Sequence, residues 1–265
     1  MTDAAMRRLR TTLAGAAALV GAAVFRLNLG SDPKPASWVP VLGLVAAAVL
    51  AHVPALGAQL LARGLWWSNL VLGVILCTLG NHRESSVGLS LVFGCGAALV
   101  LADRRALAAA AERAGFRPAA FAGTIQLMMV LDLADAPTLL LFATLESDHP
   151  ASRAPVALAA TAAALLVGFI GLYRLALWGV LVNVGASLAL GAALATRTVT
   201  VERDLVTPLL ALSALQVLVA LPMLASIVTR RPLPAPSPRT RGALATALVV
   251  ALALASAAVS LSRAR

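Results

Sequence analysis

Apolar residues in this chain come in long unbroken blocks, not in the alternation of a half-buried strand or the narrow stripe of a soluble amphipathic helix. Nine blocks have the length needed to cross a hydrocarbon layer as helices, which takes about 17–25 residues. They cover 12–29, 38–61, 65–80, 86–102, 118–145, 155–173, 175–195, 205–228 and 243–261. The pattern predicts an all-α, polytopic transmembrane helix bundle forming a single integral membrane domain over 1–265. It has nine spans, or eight if the first is cleaved or the last does not span.

Between the blocks, charge alternates. With the N-terminus inside, thirteen basic residues fall on the cytoplasmic side, among them Arg7, Arg8, Arg10, Arg63, Arg104, Arg105 and Arg174, against seven on the other side. Lysine and arginine are retained on the cytoplasmic face of membrane proteins, so this bias predicts a cytoplasmic N-terminus and an external C-terminus. Trp38, Trp66, Trp67, Tyr173 and Trp178 fall near the predicted span ends, where amphipathic rings suit the headgroup layer. Arg63 and Arg174 leave almost no loop between their flanking blocks, which predicts tight antiparallel hairpins.

Two connections are longer. Segment 103–117 (DRRALAAAAERAGFR) is rich in helix formers and predicts a cytoplasmic interfacial helix whose arginines meet anionic headgroups. Segment 229–242 (TRRPLPAPSPRTRG) predicts an extended, proline-rich linker. The basic start followed by AGAAALVGAA resembles a signal peptide, but the apolar run continues through Val24 and Phe25, which favours a retained span.

Composition sharpens the picture. Hydrophobic residues make up 60% and charged ones 12%, where a soluble domain has about 45–50% and about 25%. A net charge of +10 in a soluble chain suggests nucleic acid, yet no polar stretch is long enough to form an exposed basic domain, so the charge is topogenic and no nucleic-acid partner is expected. Cys77 and Cys95 lie in apolar runs at different depths and outside any metal or redox spacing, which argues against a disulfide. Abundant alanine, arginine and proline with a single lysine suggest a GC-rich bacterial genome and hence the inner membrane.

Chemistry is concentrated in a few polar residues inside the blocks. A carboxylate at mid-bilayer costs about 2.5–3.5 kcal/mol on insertion scales. Asp132 and Asp135, three apart on one helix face, must therefore point into the protein. Arg26 lies at a matching depth in the first span and is the expected counter-ion, so the three form a charged cluster that is either an ion path or a structural ion pair. Pro137 cannot donate to Leu133, which predicts either a helix break of the kind that forms transporter sites or a tolerated kink. His52, Gln126, Asn183, Thr207 and Gln216 are secondary polar candidates, with interhelical hydrogen bonding as their simplest role. Gly15, Gly21, Gly94, Gly96, Gly179, Gly185 and Gly191 predict close helix packing with no assigned partners.

The DLAD pair invites comparison with carboxylate motifs that hold Mg²⁺ and diphosphates in intramembrane transferases. Such sites need a second acidic cluster on the same side, and Glu146 with Asp148 and Glu202 with Asp204 are expected in outer loops. His82 and His149 are expected there too, as solvated residues. No nucleotide, hydrolase or zinc-protease motif is present in the sequence, and no catalytic residue, metal or cofactor is expected. The reading that emerges is a small permease or proton-linked transporter. A non-catalytic membrane scaffold or assembly subunit is the alternative, and an intramembrane transferase a weaker one. Its expected partners are the bilayer and other membrane proteins or a second copy. The ion pair has a direct test: exchanging the charges in an Arg26→Asp, Asp132→Arg double variant restores the membrane expression lost in each single variant, and expression that stays low in the double variant rules the pairing out.

Overall fold

The computed structural model describes residues 3–28, 38–79, 82–102, 104–116, 124–147 and 153–229. Among these there are nine helices and no strand: α1 (Asp3–Asn28), α2 (Trp38–Leu50), α3 (Leu56–Leu79), α4 (His82–Leu101), α5 (Arg104–Arg113), α6 (Thr124–Glu146), α7 (Ala154–Tyr173), α8 (Leu177–Ala195) and α9 (Arg203–Thr229). Six of them, α1, α3, α6, α7, α8 and α9, are long and apolar enough to cross a membrane, and a seventh candidate arises if the apolar part of α4 and α5, which meet at a bend of 63°, form one span. The described residues are thus all-helical, in keeping with a helical membrane bundle. Large apolar side chains cover its outer faces, with Phe93, Val100 and Val156 more than 70% exposed, a surface suited to lipid and not to water. The ninth predicted span, the proline-rich linker and residues 118–123 of the fifth lie outside the described residues.

The chain divides into two compact units, Met1–Pro118 and Ala119–Arg265. In the first, α1 packs on α2 and α4, α3 packs on the same two, and α5 rests on α3. In the second, α6 packs on α7 and α9, and α8 packs on the same two. Each unit is therefore a ring of four sequential helices, the arrangement that short up-and-down connections favour.

Three sequence expectations are corrected in the first unit. The turn between the second and third blocks falls at 51–55 and not at Arg63, because Pro54 lacks a donor and disfavours helical geometry at Val53, so α2 stops at Leu50. Arg63 sits buried inside α3, where its Nη1 donates to the Gln59 carbonyl at 3.0 Å and to Gln59 Oε1 at 2.9 Å. An arginine that donates to acceptors on its own helix can be held within the helix and needs no loop. His52 consequently lies in the turn and not within a span. Trp66 and Trp67 fall at the middle of α3, not at a headgroup boundary, and Trp66 is a core residue packed with Leu44, Ala62 and Leu91. With 13 residues α2 is about 20 Å long at 1.5 Å per residue, shorter than a full crossing.

The 103–117 segment does form a short helix, α5, closed by Gly115 at φ 84°, where the Phe116 amide donates to the Ala111 carbonyl at 3.0 Å. The link between α7 and α8 is only Arg174 to Ala176, with Leu175 at φ 53° and the Ala176 amide on the Gly171 carbonyl at 2.8 Å. This is the αL ending that lets a helix reverse at once. Cys77 and Cys95 are free thiols.

Glycines set the closest helix approaches. A Cβ on Gly21 would lie 2.9 Å from the Ser90 carbonyl oxygen, and one on Gly94 2.8 Å from that of Ala17, so α1 and α4 touch backbone to backbone. The same holds for Gly73 with Gly88 and for Gly171 with Gly179. The evenly spaced Gly179, Gly185 and Gly191 do not line one contact, since six residues advance a helix to a different face, and a Cβ on Gly185 meets nothing within 4 Å. Gly179→Ala therefore forces α7 and α8 apart against backbone atoms and lowers stability by about 1–3 kcal/mol, whereas Gly185→Ala changes it by no more than about 1 kcal/mol. Thermal unfolding of the two variants in detergent distinguishes them.

Candidate functional site

The most polar part of the described protein interior lies at the centre of the second unit. Asp132, Asp135 and Thr138 follow at three-residue spacing on one face of α6, and all are buried. Asp135 is the middle residue of that helix, and Gln216 the middle residue of α9. In an up-and-down ring, helix midpoints fall at one level, so side chains from different helices can meet there.

They do. Asn183 on α8 donates through Nδ2 to Asp132 Oδ2 at 2.7 Å. Gln216 donates through Nε2 to Asp132 Oδ1 at 3.2 Å and to Asp135 Oδ2 at 3.1 Å, so one carboxamide bridges both carboxyl groups. The Asn183 bond joins α6 to α8, the helix opposite in the ring, while the Gln216 bonds join neighbours. All four residues are at most 3% exposed. Thr138 donates to its own helix, at the Ala134 carbonyl, 2.8 Å away.

Two neighbouring features shape this cluster. Gly168 on α7 leaves the space that the Asn183 carboxamide fills, since a Cβ there would overlap the amide group itself. A cavity of about 10 Å³ lies beside Asp135 and Gln216 and is also lined by Thr161, Ser187 and Ser213. That is about the smallest volume that holds one water molecule. Its polar wall includes Gln216, whose buried Oε1 accepts no hydrogen bond, as is also true of Asn183 Oδ1. Unpaired buried acceptors cost about 1–3 kcal/mol each, so both carbonyl oxygens are ready to accept from a water or another small donor.

Chemically, the cluster holds two carboxyl groups whose hydrogen-bond donors, among the described residues, are neutral amides. Within the second unit these donors bring no positive charge to the pair, which makes it receptive to a proton, a small cation or a basic side chain. Arg26, the expected counter-ion, belongs to the first unit, where its guanidinium lies 4.8 Å from the centre of the Trp38 ring, a cation–π distance. Pro137 does not break its helix: α6 is continuous from Thr124 to Glu146. The proline is accommodated, not used to divide the span, as neighbouring helices permit.

Of the secondary candidates, Asn183 and Gln216 join the aspartates. Gln126 is half-buried two turns earlier on α6, and His52 is in the first unit. Ser187 and Ser213, overlooked in the sequence, lie one turn from Asn183 and Gln216 on the same faces, and that spacing was the signal that marks them. Glu146 is corrected as well. It is not a solvated loop residue but the buried last residue of α6, where Oε1 accepts the Glu202 amide at 2.9 Å and fixes the entry to α9. Among the described residues no three His, Cys, Asp or Glu side chains group as metal ligands, and His149 lies outside them.

The Gly168 contact yields a coupling test. Gly168→Ala displaces the Asn183 carboxamide from Asp132 and destabilises the protein as Asn183→Ala does, by about 1–3 kcal/mol. In the double variant the new methyl occupies the space vacated by the amide, so the two losses do not add. Detergent melting curves of the four proteins measure this, and simple additivity contradicts the packing described. Compared with known proteins, the chain matches no family model, no curated protein and no solved structure.

Proposed function

We propose that the protein is a small permease or proton-linked transporter whose coupling site is the carboxyl pair Asp132 and Asp135, held by Asn183 and Gln216. The observation that carries this reading is the pairing of two buried carboxyl groups at mid-helix with neutral donors and a water-sized cavity. Two carboxylates at that depth cost about 2.5–3.5 kcal/mol each, and interhelical hydrogen bonds return only about 1–2 kcal/mol apiece. A positive charge that comes and goes settles the difference, and intramembrane carboxyl groups of this kind serve proton and ion paths. The cavity limits the occupant at this point to something of the size of water, which favours a proton over an organic solute.

The same reading places the N-terminus in the cytoplasm of a bacterial inner membrane. Arg8, the 51–55 turn and α5 then share the inner side, and the Glu146–Glu202 contact lies on the outer side. The alternative is a membrane scaffold or assembly subunit, in which the amide–carboxyl network only fixes how four helices pack. It is favoured by the small size of the cavity.

Proteoliposomes containing a pH-sensitive dye separate the two. Under an imposed pH gradient the wild-type protein dissipates the gradient faster than protein-free liposomes, and Asp135→Asn, which keeps the shape and accepts the same carboxamide, reduces the rate to the protein-free level. Equal, negligible leak in both proteins, with a lower melting temperature for the variant, supports the scaffold and removes the proton path.

A further inference from the structure

The first unit carries a second polar feature, remote in sequence from the carboxyl pair. A groove of about 710 Å³ is lined by Arg8 and Thr11 of α1, His52 and Gln59 at the α2–α3 turn, and Glu112 and Arg113 of α5. Its size is within the range of sites that take small molecules or headgroups, about 300–1,000 Å³.

The walls are fixed by hydrogen bonds. Gln59, itself buried, donates through Nε2 to the Ala51 carbonyl at 2.6 Å and the Val53 carbonyl at 2.9 Å, which clamps the turn carrying His52. Arg113 donates through Nη2 to the Pro54 carbonyl at 2.8 Å and through Nε to the Ala109 carbonyl at 3.2 Å, which ties α5 to that turn. A guanidinium has five donors, so three on Arg113 are left for a ligand. Arg8, on α1, makes no side-chain hydrogen bond among the described residues. Among the described lining residues Glu112 is the one acidic group, against the two guanidinium groups of Arg8 and Arg113, while His52 adds a ring N–H donor.

We infer that this groove binds a phosphate group, with Arg8 and Arg113 as its principal donors and His52 and Thr11 completing the set. Guanidinium forks match phosphate oxygens in charge and geometry. Arg8 begins the apolar part of α1, and the turn and α5 meet it there, so the groove opens at the end of the helices where headgroups lie. A phospholipid headgroup and a soluble phosphate compound share this chemistry.

The test uses the full chain in nanodiscs with equal parts phosphatidylglycerol and phosphatidylcholine, read by the lipids that remain bound after transfer to detergent and native mass spectrometry. Phosphatidylglycerol is retained preferentially by the wild-type protein, and Arg8→Gln reduces that preference about fivefold, the effect of removing one basic group near an anionic surface. Arg8→Gln breaks no hydrogen bond of the groove, and an unchanged melting temperature confirms that it folds. Arg113→Lys, which keeps the charge but not the fork, lowers the preference less than Arg8→Gln. In the second arm, inorganic pyrophosphate is added to the detergent-solubilised protein. Saturable pyrophosphate binding that Arg8→Gln weakens, without lipid preference, assigns the groove to a soluble phosphate compound. Absence of both binding signals, or binding of either probe that Arg8→Gln leaves unchanged, overturns the proposal.

Discussion

Inside a hydrocarbon layer there is no water to satisfy polar atoms, so each one must find its partner within the protein. For this chain the requirement falls most heavily on two carboxyl groups of α6. It is met by amides brought from α8 and α9, and it constrains much else in the second unit. The helices must align so that Asp135, Gln216 and Asn183 share a level. Gly168 must stay without a side chain so that the Asn183 amide has room, and the approach of α7 to α8 at Gly171 and Gly179 keeps that glycine close. The tight reversal at Arg174 to Ala176 holds the same two helices in register.

The first unit handles its polar groups differently. Arg63 and Asn69 donate to their own helix, Arg63 to Gln59 and Asn69 to the Leu65 carbonyl at 2.8 Å. Bonds of the i to i−4 type ask nothing of neighbouring helices. The packing there rests on small residues instead, with Ala14, Ala18 and Ala22 of α1 set against Leu91, Cys95 and Ala98 of α4 in one apolar core. The hydrogen bonds to buried carboxyl groups are thus concentrated in one unit, and a groove lined by two arginines at the helix ends lies in the other. The proposed functions follow that division: a site that takes up positive charge at mid-helix, and a site that takes negative charge at the headgroup level.

Much of this was legible in the sequence because its causes are local. Block length and apolar composition are enough to specify helices made for lipid, and the cost of a mid-membrane carboxylate is enough to direct Asp132 and Asp135 inward. Helical spacing put the two on one face. Asn183 and Gln216 stood out for the same reason, as polar groups in apolar runs. Where the sequence misled, a local cue had two readings. Arg63 looked like a loop residue because charges are excluded from lipid, but an arginine bonded to its own helix is tolerated. Pro54 and Pro137 are both prolines in apolar blocks, yet one ends a helix and the other does not.

What only the tertiary structure decided is which groups meet. The sequence alone determined the helical class, the inward direction of the carboxyl pair and the set of amides available to it. The four-membered ring of α6 to α9 determined that Asn183 reaches across to Asp132, that Gln216 spans both carboxyl groups, and that Gly168 makes the room. It also left Gln126 out, although it lies on the same helix as the aspartates. Periodicity fixes the direction of a side chain about its own axis, but a partnership between helices depends on their order around the ring and their relative depth, and neither quantity is written in any single segment.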